Sequence, residues 1–274
     1  MTAAEIHVPY EPLLRARKDL VRAAAELSLS DARFAVDLYY QVQDYRKATA
    51  NQQRAAAEGE EPRDLIDWSV ESFQTIEDVI RSGLAKFAAA QSLGQWALAQ
   101  HGIGPVITAG LLAHIDIAKA PTAGHIWSFA GLSPHQKWEK GQQRPWNARL
   151  KVLCWKIGDS FVKQSGSDKC FYGRFYRERK AIEVARNEAG EYREIAERTL
   201  TEKKFKQSDT RKAYEEGRLP DGRIDMRARR WAVKLFLAHY HHVGYELLHG
   251  EPPPRPYVLA HGGHAHFIPP PGWK

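Results

Sequence analysis

The chain has 274 residues, of which 40 are Lys or Arg and 33 are Asp or Glu, and its formal net charge is +7 with neutral histidines. This length suits two domains or one extended helical body, and the positive charge favours a polyanionic partner. Two cysteines, Cys154 and Cys170, are too few for a disulfide framework or a four-ligand zinc site, which indicates a reducing, cytoplasmic setting. No apolar signal segment or membrane-spanning stretch is apparent, so no membrane partner is expected.

The first third of the chain is predicted to be a pair of long antiparallel helices. Residues 1 to 29 are typical of an irregular lead and a short helix, and Ser30 is the expected N-cap of the first long helix. Gly and Pro in the segment 58 to 62 should separate it from the second helix. Apolar residues recur at helical spacing, at Phe34, Leu38, Val42, Tyr45, Ile66, Val70, Phe73, Ile76, Ile80, Leu84 and Phe87. We therefore expect residues 1–90 to form a helical hairpin or coiled coil that makes a homo-oligomer through residues 31–90.

A glycine-rich turn follows a short predicted helix over residues 92 to 100. Gly102 and Gly104 permit unusual backbone conformations, and Pro105 suits the first turn of a new helix. Because a helix start presents unpaired N–H groups, this corner can approach a phosphate closely. The predicted phosphate contacts of this helix-hairpin-helix are Gly102, Ile103, Gly104 and Thr108. The simpler interpretation is a plain turn between two packed helices; the basic segment downstream favours phosphate binding.

The segment from Ser133 to Trp146 mixes cations, amides and tryptophans without a helical period, and we expect a loop or a short β-excursion there. Its cations can neutralise phosphates while Trp138 stacks on a base or sugar. A solvated loop anchored by its tryptophans is the alternative. For Trp138 both interpretations remain open, whereas Trp146 is expected to pack in the core. The predicted nucleic-acid contacts of this region and of the next helix start are Lys137, Trp138, Lys140, Arg144, Asn147, Arg149 and Lys151.

Helices are predicted on both sides of this loop. Thr122 should cap a short helix that Gly131 ends. Residues 147 to 164 should form a basic amphipathic helix that buries one apolar side, consisting of Leu150, Leu153, Ile157 and Phe161. The helical stretch from 171 to about 217 alternates in charge, which is typical of an exposed surface with many ion pairs.

The last predicted helix spans Met226 to Leu248 and is followed by a Pro/His-rich tail over 251–274. Its expected buried stripe is Trp231, Leu235, Phe236, Tyr240, Val243, Leu247 and Leu248. The histidines of this region could together bind a divalent metal; they are His239, His241, His242, His261, His264 and His266. No cysteine or acidic ligand joins them at a recognisable spacing, so we predict solvated or hydrogen-bonded histidines, no metal site and no cofactor.

Several of these motifs together resemble a known family. The GIGP turn at Gly102 to Pro105 and the Phe-Ala-Gly-Leu step at Phe129 to Leu132 are similar to the C-terminal half of the insertion-sequence one-ten transposases, the Piv/MooV-like bridge-RNA recombinases. The Asn-x-x-Leu start at Asn147, the Phe-Tyr pair at Phe175 and the basic-apolar helix over 229 to 237 extend the resemblance. It covers about residues 92 to 250 and implies DNA recombination by a mobile element.

Two departures from the family limit what the resemblance implies. The family's RuvC-like domain, with its metal-binding acidic residues, has no counterpart in residues 1 to 90. The family also places a nucleophilic serine where this chain has Trp138 and Glu139, and neither residue carries an aliphatic hydroxyl. Ser128 and Ser133 are nearby but lie at positions with other roles in the family.

Three functions follow from these patterns. The leading expectation is a mostly α-helical, transposase-like protein whose domain at 91–250 binds DNA or structured RNA without strand-transfer chemistry of its own. The second is an active transposase or recombinase that uses a relocated serine or a catalytic domain supplied in trans. The third is a helical scaffold or dimerisation protein.

Overall fold

The computed structural model describes residues 18–19, 21–56, 62–134, 136–254 and 267–273. Throughout these residues the regular structure is helical and contains no β-strand, which confirms the predicted mostly α fold. The chain divides into two compact units. The first comprises the chain up to Leu98 together with 104–115, and the second comprises 99–103 together with the chain from Asp116 onward.

Four α-helices of the first unit lie entirely within the described residues. They are α1 (Leu29–Ala55), α2 (Arg63–Ala89), α3 (Ser92–Leu98) and α4 (Pro105–His114), preceded by a 3-10 turn at Ala24–Glu26. Helices α1 and α2 form the predicted antiparallel hairpin. Gln53 donates to Asp67 at 2.7 Å and Gln43 donates to Glu77 at 2.9 Å, so residues later in α1 meet residues earlier in α2.

The N-cap of α1 is Ser28 and not the predicted Ser30. The Ser28 hydroxyl accepts from the Asp31 backbone N–H at 3.1 Å, and the Asp31 carboxylate accepts from the Ser28 N–H at 3.2 Å. This reciprocal capping box satisfies two donors that the start of a helix leaves unpaired. Ser30 lies two residues too late for this role, within the helix itself.

The predicted apolar stripe of α1 is only partly buried. Val42 lies in the core, but the side chains of Phe34 and Tyr45 are 68% and 64% exposed. The α1 residues that are fully buried include Ala32 and Val36, which lie on the neighbouring strip of the helix. The smaller side chains on this strip allow α1 to pack closely against α2 and α4. The helix therefore buries this strip and leaves the larger side chains of Phe34 and Tyr45 exposed.

Helices α3 and α4 pack with the hairpin. Val106, Ala109, Leu112 and Ala113 of α4 share one core with residues of α1 and α2, which include Ala32, Ile80, Leu84 and Phe87. A helix does begin at Pro105, as predicted, and Gly104 is its N-cap. This grouping differs from the predicted domain boundary near residue 90, because α3 and α4 bury their apolar sides against the hairpin.

The second unit contains six further α-helices among its described residues. They are α5 (Ala123–Phe129), α6 (Ala148–Lys163), α7 (Phe171–Glu188), α8 (Arg193–Glu202), α9 (Asp209–Glu215) and α10 (Asp221–His249), with a 3-10 turn at Ile117–Lys119. The predicted buried side of α6 is confirmed, since Leu150, Leu153, Ile157 and Phe161 are all buried. Phe161 stacks on Tyr172 at 5.0 Å between ring centroids and meets Phe236 of α10 edge-on. These aromatic contacts join α6, α7 and α10.

The charged stretch from 171 to 217 is helical, as predicted, and consists of the three helices α7, α8 and α9. Gly190, with φ of +77°, ends α7 in a left-handed conformation. Exposed ion pairs do occur, such as Arg198 with Glu202, but Glu183 is 1% exposed. A second small core contains Tyr192, Tyr214 and Leu219, and the Tyr192 hydroxyl donates to Glu183 at 2.5 Å.

The buried stripe of α10 is also only partly as predicted. Phe236, Tyr240 and Val243 are buried, whereas Leu247 and Leu248 are 43% and 52% exposed near the end of the helix. His239 and His241 are buried in the same helix. No helix among the described residues is long and apolar enough to cross a membrane.

Candidate nucleic-acid interface

The turn at Gly102 is held to its own unit by side chains of α6 and of the following turn. Gly102 has φ of +95°, a conformation that a residue with a Cβ rarely adopts. The Ser160 hydroxyl donates to the Gly102 carbonyl oxygen at 2.6 Å, and the Cys170 thiol donates to the His101 carbonyl at 3.4 Å. The Ile103 N–H donates to the Gln100 carbonyl at 2.9 Å. Ile103 is 4% exposed, so neither its side chain nor its N–H is presented to a phosphate.

Thr108 stabilises the first turn of α4 by hydrogen bonding to the Gly104 carbonyl. Its hydroxyl donates to the Gly104 carbonyl at 3.1 Å, its side chain is fully buried, and its backbone N–H bonds to the same carbonyl at 3.0 Å. The predicted contact between the Thr108 hydroxyl and a phosphate is therefore corrected. Gly104 differs, because a Cβ placed there would meet no atom within 4 Å. The backbone at Gly104 is thus approachable, and its phosphate contact stays a prediction.

The structure describes every residue from Ser133 to Trp146 except His135. The described residues of this segment contain no β-strand. Lys137 and Lys140 are exposed. Trp138 is 42% exposed, and its indole N–H donates to the Gln142 carbonyl at 2.7 Å. The guanidinium of Arg144 lies 5.1 Å from the Trp138 ring centroid. Trp138 is therefore held at the surface by its own loop, with a cation over its ring.

Trp146 is wedged between the loop and helix α6. A Cβ on Gly131 would lie 2.7 Å from Trp146 Cγ, so the indole touches the glycine backbone directly. The ammonium of Lys151 lies 3.9 Å from the Trp146 ring centroid. Trp146 is half-buried, which places it between the predicted core position and the surface.

Asn147 is the N-cap of α6. Its side-chain oxygen accepts from the Leu150 N–H at 2.9 Å, and its own N–H donates to the Phe129 carbonyl at 2.9 Å. The side-chain oxygen is therefore engaged by the helix. Thr122, predicted to cap α5 in the same way, makes no such bond, because its hydroxyl pairs with the His125 ring at 3.0 Å.

Helix α10 adds two cations, Arg230 and Lys234, that the sequence motifs do not assign to the site. Lys151 is exposed, and partial desolvation together with the nearby positive charges of Arg230 and Arg144 lowers its pKa. Burial lowers the pKa of Lys234 as well, with a second contribution from Arg230. The pKa of Arg230 is itself lowered by burial and by neighbouring arginines. We call Arg144, Lys151, Arg230 and Lys234 the cationic face.

Among the residues that the structure describes, the cationic face has no counter-ions. None of its four members lies within ion-pair distance of a carboxylate among the described residues, although many other arginines and lysines of the same unit are paired. Three members lie over tryptophan rings instead: Arg144 over Trp138, Lys151 over Trp146 and Lys234 over Trp127. The ammonium of Lys234 lies 4.5 Å from the Trp127 ring centroid, a cation–π contact like that of Lys151 with Trp146. A surface of mutually repelling cations between aromatic rings can bind an anion with little reorganisation.

A sequence signal for the α10 cations exists in the basic run from Arg227 to Arg230. Lys234 follows Arg230 by four residues, so both lie on one side of a helix. Which side of α10 faces the basic loop depends on tertiary packing, which the helical period alone does not specify. Arg149, by contrast, lies on α6 as predicted and is exposed.

Two histidines of α10, His239 and His241, are buried hydrogen-bonding groups. His239 bonds through Nδ1 to the Tyr172 hydroxyl at 2.9 Å and through Nε2 to the Ile268 carbonyl at 2.8 Å. His241 Nε2 bonds to the Ala120 carbonyl at 2.7 Å. His261, His264 and His266 lie outside the described residues. Within the described part of the chain, no group of three or more His, Cys, Asp or Glu is placed to hold a metal ion.

The two alternative serines have no adjacent base among the described residues. The Ser128 hydroxyl accepts from the Gln136 amide at 2.8 Å, and neither Ser128 nor Ser133 hydrogen bonds to a described histidine or carboxylate. Both are partly buried. A serine nucleophile generally needs such a base to be activated.

Known proteins add no further constraint on this site. Comparison with protein-family models, curated proteins and solved structures yields no match for this chain. The resemblance to the insertion-sequence one-ten transposases therefore rests on the sequence motifs alone and stays a prediction.

Proposed function

We propose that this protein binds nucleic acid through the cationic face, with Lys137 and Lys140 of the adjacent loop extending the contact. The observation that carries the proposal is that Arg144, Lys151, Arg230 and Lys234 have no described carboxylate within ion-pair distance, while three of them lie over tryptophan rings. The lowered pKa of Lys151, Arg230 and Lys234 is consistent with this mutual repulsion. A bound polyanion would relieve this repulsion and restore the ordinary pKa values. Phosphates of a nucleic-acid backbone supply such charges at regular spacing.

Tryptophans next to the cations favour nucleic acid over other polyanions. Trp138 is exposed beside Arg144, and Trp127 and Trp146 lie under Lys234 and Lys151. Aromatic rings stack on bases or sugars, whereas sulfated polysaccharides present no flat π-system of this kind.

The test is the salt dependence of binding to a labelled DNA duplex, measured by fluorescence polarisation. Each phosphate contact contributes about 0.9 to the slope of log affinity against log salt concentration, so the double variant Lys151→Gln, Arg230→Gln should lower the slope by about 2. The matched control is Arg186→Gln, Arg198→Gln, which removes the same charge from residues paired with Glu191 and Glu202. The control should bind like the wild type. Equal losses in both double variants, or binding that does not depend on salt, would refute the assignment.

The resemblance to transposases raises the question of whether this chain carries out strand transfer itself. We propose that the chain binds DNA or structured RNA in a recombination reaction whose strand transfer is carried out elsewhere, because Trp138 and Glu139 stand at the nucleophile position. The alternative is a relocated nucleophile at Ser128 or Ser133. A covalent protein–DNA adduct that survives denaturation and is lost in Ser128→Ala or Ser133→Ala would establish the alternative, and its absence with intact binding supports the proposal.

Exposed apolar side chains on the hairpin support a second role, self-association. Phe34 and Tyr45 on α1 and Leu65 and Trp68 on α2 are between 40% and 68% exposed. Exposed apolar groups of this size commonly mark protein interfaces. We propose that this hairpin makes a homo-oligomer. Light scattering after size exclusion should then give a multiple of the 31.1 kDa chain mass, and Phe34→Ser should shift it toward the monomer. A wild-type monomer at micromolar concentration would contradict this role.

A further inference from the structure

The second unit contains an open concavity at the junction between the basic loop and helix α6. It is lined by Phe129, Gln143, Arg144, Pro145, Trp146 and Asn147. The hydrogen bond from the Asn147 N–H to the Phe129 carbonyl fixes the end of α5 against the start of α6. One wall of the concavity is therefore a phenyl ring on a rigid element, and its rim carries a cation and a carboxamide.

Phe129 is the side chain that lacks an obvious structural reason for its position. Its side chain is 44% exposed, and no described aromatic ring or cation stacks on it. Trp146 differs, because Gly131 and Lys151 contact its indole. An exposed phenyl ring is less favourable than a buried one, so covering it with a ligand would stabilise the complex. Phe129 lines a concavity that also contains Arg144 of the cationic face.

We propose that this concavity accepts one unpaired base of a single-stranded nucleic acid, stacked on Phe129. Arg144 then contacts the phosphate of that nucleotide, and the Gln143 carboxamide reaches the edge of the base. The inference rests on the proposed function, since it names the form of nucleic acid that the same surface recognises. A base within a duplex is covered by its neighbours on both sides, so only an unpaired or extruded base presents a face to Phe129.

The chemistry of the lining favours a nucleobase over a purely apolar ligand. The concavity combines a ring for stacking with a carboxamide, which both donates and accepts hydrogen bonds. Arg144 belongs to the cationic face, so a negatively charged group bound there reduces the repulsion with Lys151. A nucleotide satisfies both requirements with adjoining parts of one molecule.

The experiment compares three labelled probes of equal length: a single-stranded oligonucleotide, the same backbone with abasic sites, and a duplex. Wild-type protein should bind the single strand about tenfold more tightly than the abasic backbone, as expected for one stacked base. Phe129→Ala should lose this preference while its binding to the abasic and duplex probes is unchanged. Phe267→Ala, which removes another ring that is 56% exposed in the same unit, is the matched control and should behave as wild type.

A fluorescent base provides a second measurement. A 2-aminopurine in the single strand should be quenched on binding to wild type and to Phe267→Ala, and not on binding to Phe129→Ala. Equal affinity of wild type for the normal and abasic strands would overturn the base site while leaving phosphate binding intact. An equal loss for all three probes in Phe129→Ala would also overturn it. Failure of wild type to bind any probe would refute the proposed function itself.

Discussion

The guanidinium of Arg227 donates a 2.5 Å hydrogen bond to the carboxylate of Glu183, which is 1% exposed. Tyr192 donates to the same carboxylate at 2.5 Å, and Arg179 lies on its other oxygen. Burial alone would raise the pKa of Glu183, but the hydrogen bonds from Tyr192, Arg227 and Arg179 outweigh it, and the pKa is lowered. The carboxylate therefore stays ionised and ties α7 to α10.

Replacing Glu183 by Gln should destabilise the protein by about 2 to 4 kcal/mol, because two partly buried arginines lose their shared counter-ion. Urea unfolding followed by circular dichroism at neutral pH measures the change. Glu188→Gln on the same helix is the control, since Glu188 is exposed, and it should change stability by no more than about 0.5 kcal/mol. A Glu183 variant as stable as this control would show that the network contributes nothing to folding.

Gly131 is expected to tolerate no side chain. Its φ is +66°, and a Cβ would lie 2.7 Å from Trp146 Cγ. Gly131→Ala should therefore lose about 2 to 4 kcal/mol of stability through backbone strain and displacement of the indole. Gly141→Ala separates the two causes, because Gly141 also has positive φ, +91°, but has no atom within 4 Å of the added Cβ. It should lose only about 1 kcal/mol, and equal losses in the two variants would contradict the role of Trp146.

The sequence predicted well those features that depend on neighbouring residues. Pro105 after Gly104 marked the start of α4, and the apolar period of α6 identified its buried side. The predicted positions of the helix caps and of the buried apolar stripes were less accurate. The N-cap of α1 is Ser28 and not Ser30, and Phe34 of the predicted stripe is exposed. Helical periodicity gives the apolar side only to within a neighbouring strip, and the size of the facing side chains decides which strip is buried.

The candidate site was predictable only in its contiguous part. Lys137, Arg144 and Lys151 lie close together in sequence, so local charge density identified them. Arg230 and Lys234 join them only because α10 packs beside α6, a contact between distant parts of the chain that composition cannot indicate. The burial of Thr108 was also not predictable from the local sequence. Threonine is common on protein surfaces, but the packing of α4 in the tertiary structure buries this one completely.

The capping box of α1 offers a direct test of the corrected register. Ser28→Ala removes the acceptor of the Asp31 N–H and should cost about 1 kcal/mol. Ser30→Ala is the matched control two residues later, where the helix has already begun. It removes a hydroxyl contact with Ser28 at 2.8 Å but keeps the acceptor of the Asp31 N–H, so it should be within about 0.5 kcal/mol of wild type. Thermal unfolding of the three proteins side by side measures the difference. A larger effect at Ser30 than at Ser28 would restore the predicted cap.

His239 should make stability depend on pH in the mildly acidic range. Burial lowers its pKa to about 4, against an ordinary value of 6.5, while the Ile268 carbonyl opposes the shift. The folded state thus holds a neutral imidazole whose Nε2–H donates to Ile268 and whose Nδ1 accepts from Tyr172. Between these two pKa values the unfolded chain binds the extra proton, so the stabilising contribution is complete at neutral pH and declines as the pH falls.

The expected loss from pH 7 to pH 5 that is due to His239 alone is about 2 kcal/mol. His239→Gln cannot take up a proton and should flatten the pH dependence by that amount, although its stability at pH 7 should be lower because the ring hydrogen bonds are lost. The measurement is the free energy of unfolding in urea for both proteins at several pH values. Carboxylates titrate equally in wild type and variant, so the difference between the two curves isolates the imidazole. Parallel curves would mean that the folded state accommodates a protonated His239.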